Sequence, residues 1–225
     1  MRRHLRVLST ALIASGLLLL ADAGLTLLWQ EPVSALYSHF QQGKLQSRLD
    51  AMGREPLAAV DQRALARLRD PSRRLAFAAR AFARRSRPGD PLGRISMPAI
   101  GVSDVVVEGT GTSDLRLGPG HYPATPLPGQ RGTMGIAGHR TTYGAPFRHI
   151  DGLKPGDPIT LTMPYGRFTY RVERTRIVPP TAVWVTDRVS YDRLILSACN
   201  PLYSAAQRIV VFAKLTDAVG RGPAA

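Results

Sequence analysis

A single cysteine, Cys199, closes the strand-like run Leu194-Ile195-Leu196-Ser197-Ala198-Cys199, and Arg208 opens the apolar run that follows. Sixty residues upstream, His139 ends another such run within Gly138-His139-Arg140. A thiol, an imidazole and a guanidinium at strand ends are the parts of covalent catalysis by a cysteine nucleophile. The thiol attacks as a thiolate, which a neighbouring cation stabilises. His139 could protonate a leaving amine and deprotonate an incoming one. Arg208 stays charged throughout and suits a carbonyl oxygen or developing oxyanion better than a proton transfer. Each also has an ordinary reading: a small core hydrophobe for Cys199, a turn histidine for His139, a surface strand cation for Arg208.

The rest of the chain says where such chemistry would take place. Arg2, Arg3, His4 and Arg6 precede an apolar run from Val7 to Trp29, broken by Asp22 and a few small polar residues. A run of this length can cross a hydrocarbon core of about 30 Å as a helix. Arginines before it place the N-terminus in the cytoplasm and the remainder outside. Trp29 reads as an interfacial anchor. A cleaved signal peptide ending at Ala21-Asp22-Ala23 is the alternative, and it too exports the remainder. One cysteine cannot form an internal disulfide, so an exported thiol is either buried or used.

Residues 31–90 read as a basic helical stalk and linker. Between Lys44 and Arg87 there are twelve Lys/Arg against four Asp/Glu. Leu57, Val60, Ala64, Leu65 and Leu68 share one helical face, and Leu75, Phe77, Ala78, Phe82 and Ala83 give a second helix after Asp70-Pro71-Ser72. The net charge of +14 suits an anionic membrane surface or acidic wall polymers. Nucleic acid is disfavoured by export and by the lack of a recognition fold. From Pro91 the pattern changes to short apolar runs between Gly/Pro turns: 94–97, 102–108, 132–137, 158–163, 167–178, 193–199 and 207–215. Pro164-Tyr165-Gly166 marks a hairpin, and short helices fit near Leu115 and over Phe147–Leu153. Many strands with brief turns favour a closed or nearly closed barrel over a βαβ sheet. No motif has the spacing of a phosphate loop or a metal site, and neither metal nor cofactor is expected.

The chain resembles the sortases, cysteine transpeptidases of Gram-positive cell surfaces. The resemblance runs from about Gly93 to Leu215, through Pro98-Ala99-Ile100-Gly101-Val102, Gly118-Pro119-Gly120-His121-Tyr122, Ile136-Ala137-Gly138-His139-Arg140 and Leu153-Lys154-Pro155-Gly156-Asp157. The stretch from Cys199 to Arg208 is similar to the class E subgroup of high-GC actinobacteria. The resemblance implies an all-β catalytic fold, an eight-stranded closed barrel with short helices, behind an N-terminal transmembrane helix and a helical stalk. The corresponding divisions are 1–30 for the basic tip and anchor, 31–90 for the stalk, 91–217 for the barrel and 218–225 for a flexible tail.

It further implies Cys199 as nucleophile, His139 as general acid and base, and Arg208 as the group holding substrate carbonyl and oxyanion. The implied reaction cleaves an LPxTG-like sorting signal between Thr and Gly, with LAxTG favoured in class E. The acyl group passes to an amine of the lipid-linked peptidoglycan precursor at the cytoplasmic membrane. Partners would be that precursor and the surface proteins bearing the signal. A hydrolytic relative and an inactive barrel are the alternatives. His121 is similar to a secondary histidine of the family and is expected to support the site, while His149 is read as structural. Thr141, Thr142 and Tyr143 follow His139 and could line a substrate groove. Trp184, in the stretch between Val178 and Tyr191, either caps that groove or is buried. One departure stands out: the family's Thr-Leu-x-Thr-Cys is here Ile195-Leu196-Ser197-Ala198-Cys199. Ser197 and Ala198 would then position the nucleophile strand, with Ala198 bearing on rate and signal preference.

Overall fold

Alternation in β5 (Pro158–Met163) turns Ile159, Leu161 and Met163 inward. In β6 (Gly166–Val178) it does the same for Phe168, Tyr170 and Val172, so both strands present one apolar face. Pro164 and Tyr165 connect them as a two-residue turn, with Met163 opposite Gly166. β1 (Pro91–Met97), β2 (Val102–Glu108) and β8 (Gln207–Gly220) join them, while β4 (Thr133–Ala137) and β7 (Arg193–Asn200) are continuous runs buried on both faces. A two-residue strand, β3 (Gly120–His121), lies among Gly/Pro turns and carries no periodicity of its own. In this computed structural model, which describes residues 2–28, 32–55 and 58–224, the strands close in the order β1-β2-β3-β4-β7-β8-β6-β5. Pairs β2/β3 and β4/β7 are parallel and the others antiparallel. The parallel β4/β7 pair brings the C-terminal ends of two distant strands to one rim. β8 continues through residues expected to be a tail, pairing Gly220 with Gly166.

The first third of the chain is helical. α1 (Arg2–Leu28) contains Arg3–Gly24, with mean hydropathy 1.8, long and apolar enough to cross a membrane; a signal sequence has the same character. Trp29 and Leu57 lie outside the described residues. α2 (Pro32–Arg54), α3 (Ala59–Ala66) and α4 (Pro71–Ala83) follow. α4 starts where Asp70 accepts a hydrogen bond from Arg73 N at 2.8 Å and Pro71 occupies the first turn.

These helices overturn the all-β expectation. The eight-stranded barrel is present, but Leu75, Ala78, Ala79 and Phe82 of α4 join its core cluster with Tyr165 and Phe168. Leu45 and Leu49 of α2 cover Val105 and Val107 on its outer face. Gln42 completes the docking: its Oε1 accepts from Val105 N at 2.6 Å and its Nε2 donates to Leu117 O at 2.8 Å. The stretch read as a stalk therefore lies against the barrel. Its buried faces are narrow stripes within an arginine-rich sequence, and the short run of α2 that docks is partly polar. Composition signalled solvation, whereas the spacing of a few side chains decided packing.

Candidate active site

Antiparallel pairing places Cys199 directly opposite Arg208. Side chains of such a pair share a face, with Cβ atoms about 4.5–5.5 Å apart. Ser197 and Val210 form the next outward pair, and Ala198 and Ile209 between them point into the core. Of the two positions where the family signature has threonine, Ala198 is 3% exposed and faces the barrel interior, whereas Ile195 packs with Val178, Val210 and Phe212 on the outer side, where Ser197 also faces. Cys199 is half-buried and free. Arg208 donates to the carbonyls of Ala205 and Gln207, both at 2.9 Å. No carboxylate lies within ion-pair distance of it among the described residues.

His139 comes from the neighbouring strand. Ala137 is in register with Ser197, and Gly138 N donates to Ser197 O at 3.0 Å. Two residues past each end stand His139 and Cys199. The segment after His139 folds back: Phe147 N donates to His139 O at 2.9 Å, and the fully buried Phe147 ring lies against Gly138. A Cβ on Gly138 would lie 2.6 Å from that ring. Tyr143, Gly144 and Ala145 all have positive φ, which for Tyr143 and Ala145 is a strained conformation held by the surrounding fold. The Tyr143 ring stands 5.4 Å from the His139 ring, with the Arg116 guanidinium 5.5 Å from the centre of the same Tyr143 ring. Tyr143 N donates to Ser34 Oγ of α2 at 3.2 Å. Burial holds His139 below the usual imidazole pKa, and among the described residues its Nε2 has no hydrogen-bond partner.

A cleft of about 690 Å³ runs along this outer face. Ser197, Arg208 and Val210 form its floor, Tyr122 and Thr125 one side, and the β6–β7 connection from Val178 to Arg188 the other. Thr141, Thr142 and Tyr143 are half-buried but do not line it, and neither do Cys199 and His139. Trp184 stands outside it, 42% exposed and stacked on Phe212 at 6.3 Å. His121, 2% exposed, bridges Glu108 Oε2 at 2.8 Å and Thr125 Oγ1 at 3.0 Å. Thr125 Oγ1 also accepts from Gly135 N at 3.1 Å, and the Tyr122 hydroxyl bonds Ser197 Oγ at 2.8 Å. His121 thus braces the cleft wall. His149 is exposed on the surface.

Sequence reasoning missed Tyr122, Thr125, Arg140, Asn200 and Arg193 as parts of this site. Arg193 is 5% exposed; its guanidinium donates to the carbonyls of Val185 at 3.0 Å and Asp187 at 2.8 Å, and to Thr133 Oγ1 at 3.2 Å. The available signal was an arginine beginning the apolar run 193–199. A cation there must find carbonyl or carboxylate partners if buried.

A closed barrel with a cysteine, a histidine and an arginine on one rim has the outline of a thiol acyl transferase. The Sortase domain profile matches residues 95–216, more than half of the chain, and the protein belongs to the sortase family. Sortase D of Bacillus subtilis is 34% identical over 131 residues, 56% of this chain and 64% of that protein, so the match spans just under two thirds of that relative. The structure of sortase E from Streptomyces avermitilis is 35% identical with a TM-score of 0.54, covering 60% of this chain and 93% of that one. Sortase E1 from Streptomyces coelicolor, solved with a tripeptide in its active site, is 28% identical with a TM-score of 0.56, covering 60% and 94%. Within the family the likeness to class E is close.

Proposed function

We propose that the chain is a membrane-tethered cysteine transpeptidase acting on sorting-signal peptides of the LAxTG or LPxTG kind. The observation that carries this reading is the Cys199–Arg208 strand pair at a cleft, with His139 on the parallel neighbouring strand. In the first half-reaction the Cys199 thiolate attacks the Thr carbonyl while Arg208 holds its oxygen. The C–N bond to Gly breaks as protonated His139 donates to the departing amine. In the second, an amine attacks the thioester, His139 takes its proton, and the C–S bond breaks. Partners under this reading are surface proteins bearing the signal and a lipid-linked peptidoglycan precursor amine. The apolar Arg3–Gly24 helix would keep the barrel on the outer face of the cytoplasmic membrane near that acceptor.

The test uses the full chain in detergent micelles with LAxTG and LPxTG peptides, with and without a glycine-type or diamino-acid amine, followed by mass spectrometry. The expected result is an adduct at Cys199 and an amine-linked product, both lost in Cys199→Ala. A hydrolysed peptide at saturating amine would replace transpeptidation by hydrolysis, and no adduct with either peptide would sink the assignment.

A further inference from the structure

The residue after His139 carries a side chain only 3% exposed. From Arg140, Nε and Nη2 donate to Arg148 O at 3.3 and 3.2 Å, and Nη2 meets Asp151 Oδ2 at 2.9 Å. Its Nη1 donates to Asn200 Oδ1 at 3.1 Å. Arg148 and Asp151 lie at the far end of the segment that begins at His139, and Asn200 follows Cys199. One guanidinium therefore closes the histidine segment on itself and fastens it to the cysteine strand. Below it, Gly138 N donates to Ser197 O at 3.0 Å. His139 and Cys199 are thus bracketed by two cross-links, 138 to 197 and 140 to 200. The imidazole adds none from Nε2, which is unpartnered among the described residues.

We propose that Arg140 is a positioning residue that, through Asn200, fixes the separation and orientation of the His139 imidazole relative to the Cys199 thiol; this rests on the transpeptidase reading. Three acceptors in diverging directions need a planar fork of donors, which a lysine lacks. The Asp151 carboxylate and the carbonyl of Arg148 offset the desolvation of the buried cation. A merely structural staple would lower stability and leave the thiol's dependence on His139 unchanged. A positioning residue alters that dependence.

The experiment compares the full chain in micelles with Arg140→Gln, Asn200→Ala, the double variant and His139→Ala. Two rates are read: peptide cleavage, and alkylation of Cys199 by iodoacetamide across pH. Asn200→Ala removes only the link to the cysteine strand, leaving the contacts to Arg148 and Asp151, and so serves where Arg140→Gln fails to fold. Arg167→Gln, an exposed arginine of β6 outside the cleft, is the control and keeps wild-type rates. The expected result is a fall in kcat of about 10–100-fold for each single variant, with KM within about threefold. The alkylation profile moves toward that of His139→Ala, and the double variant loses no more than Arg140→Gln. Folded variants with the wild-type alkylation profile, multiplicative losses, or a loss confined to KM would overturn the proposal. If wild-type protein cleaves no peptide, the transpeptidase reading fails. The alkylation profiles then still decide the Arg140 link: a shift upholds it and no shift refutes it.

Discussion

Two buried arginines fasten two segments to opposite ends of the same strand, and under the proposed function the contrast divides binding from chemistry. Arg193, at the start of β7, holds the β6–β7 connection through the carbonyls of Val185 and Asp187, with Phe212 5.3 Å from its guanidinium. Arg140 fastens the histidine segment to Asn200 at the end of β7. The first segment is pinned at its base while its tip stays open, with Val183 79% exposed. The second is pinned at both ends, filled by Phe147 and forced through the left-handed residues Tyr143 to Ala145. Under the proposed function the first segment is a wall that meets peptides, and an exposed tip suits that role. A segment that sets the position of a proton-transferring group gains from rigidity, because small displacements of reacting groups are costly.

The sharpest break in the rigid segment is Gly138→Ala. The new methyl would sit 2.6 Å from the Phe147 ring, in a fully buried contact with no room to yield. Overpacking of this kind costs about 1–3 kcal/mol. The displacement falls on the residue before His139, so kcat should drop by roughly 100-fold in protein that still folds. Thermal denaturation alongside single-turnover acylation checks both parts. Wild-type acylation in the variant would show that the segment tolerates movement and remove the contrast.

On the other side, Arg193→Met keeps apolar bulk against Phe212 and removes the donors to Val185 and Asp187. Loosening the cleft wall should raise KM for the peptide about tenfold and leave kcat within about threefold, since the change is in substrate binding. Thr133 Oγ1 still donates to Asp187 O at 2.8 Å, which limits the movement. Steady-state kinetics on the full chain give both constants. A loss carried mainly in kcat would mean the two segments are coupled through β7 and do not divide the work.

The barrel was legible because alternation is a local property, visible in runs such as Ile159 to Met163. The catalytic candidates stood out because a lone cysteine is conspicuous in a chain whose N-terminal apolar run reads as an export signal or anchor, and family motifs flanked it. What the sequence did not display was pairwise. The two-residue strand Gly120–His121 has no periodicity, yet it links β2 to β4. The docking of α2 depends on Gln42 meeting Val105 across sixty-three positions. The buried roles of Arg140 and Arg193 need partners sixty and eight positions away, respectively. Ala198 shows the limit from the other direction. Strand parity, which no single residue type displays, turns it into the core and leaves Ser197 on the cleft.

A finer probe of the rigid segment is the charge on His139. Burial lowers its pKa below the ordinary 6.5, so the imidazole is mostly neutral at pH 6.5, where a free one is half charged. In the proposed mechanism the neutral form accepts the proton of an incoming amine, so the acid limb of the aminolysis step should lie below pH 6.5. Linkage has the same sign. As pH falls through 6.5 the unfolded chain binds this proton before the folded one does, so stability declines until the folded pKa is passed. Tyr143→Ala removes the ring 5.4 Å away and admits water. The His139 pKa should then rise toward 6.5 and carry the acid limb to higher pH, a change of a few fold in rate near pH 6. Imidazole proton NMR on the full chain in micelles, with and without Tyr143, measures the shift directly. An unchanged pKa in the variant would assign the desolvation to the packing of Phe147 and Gly138, so that the tyrosine serves only to hold the backbone turn against α2.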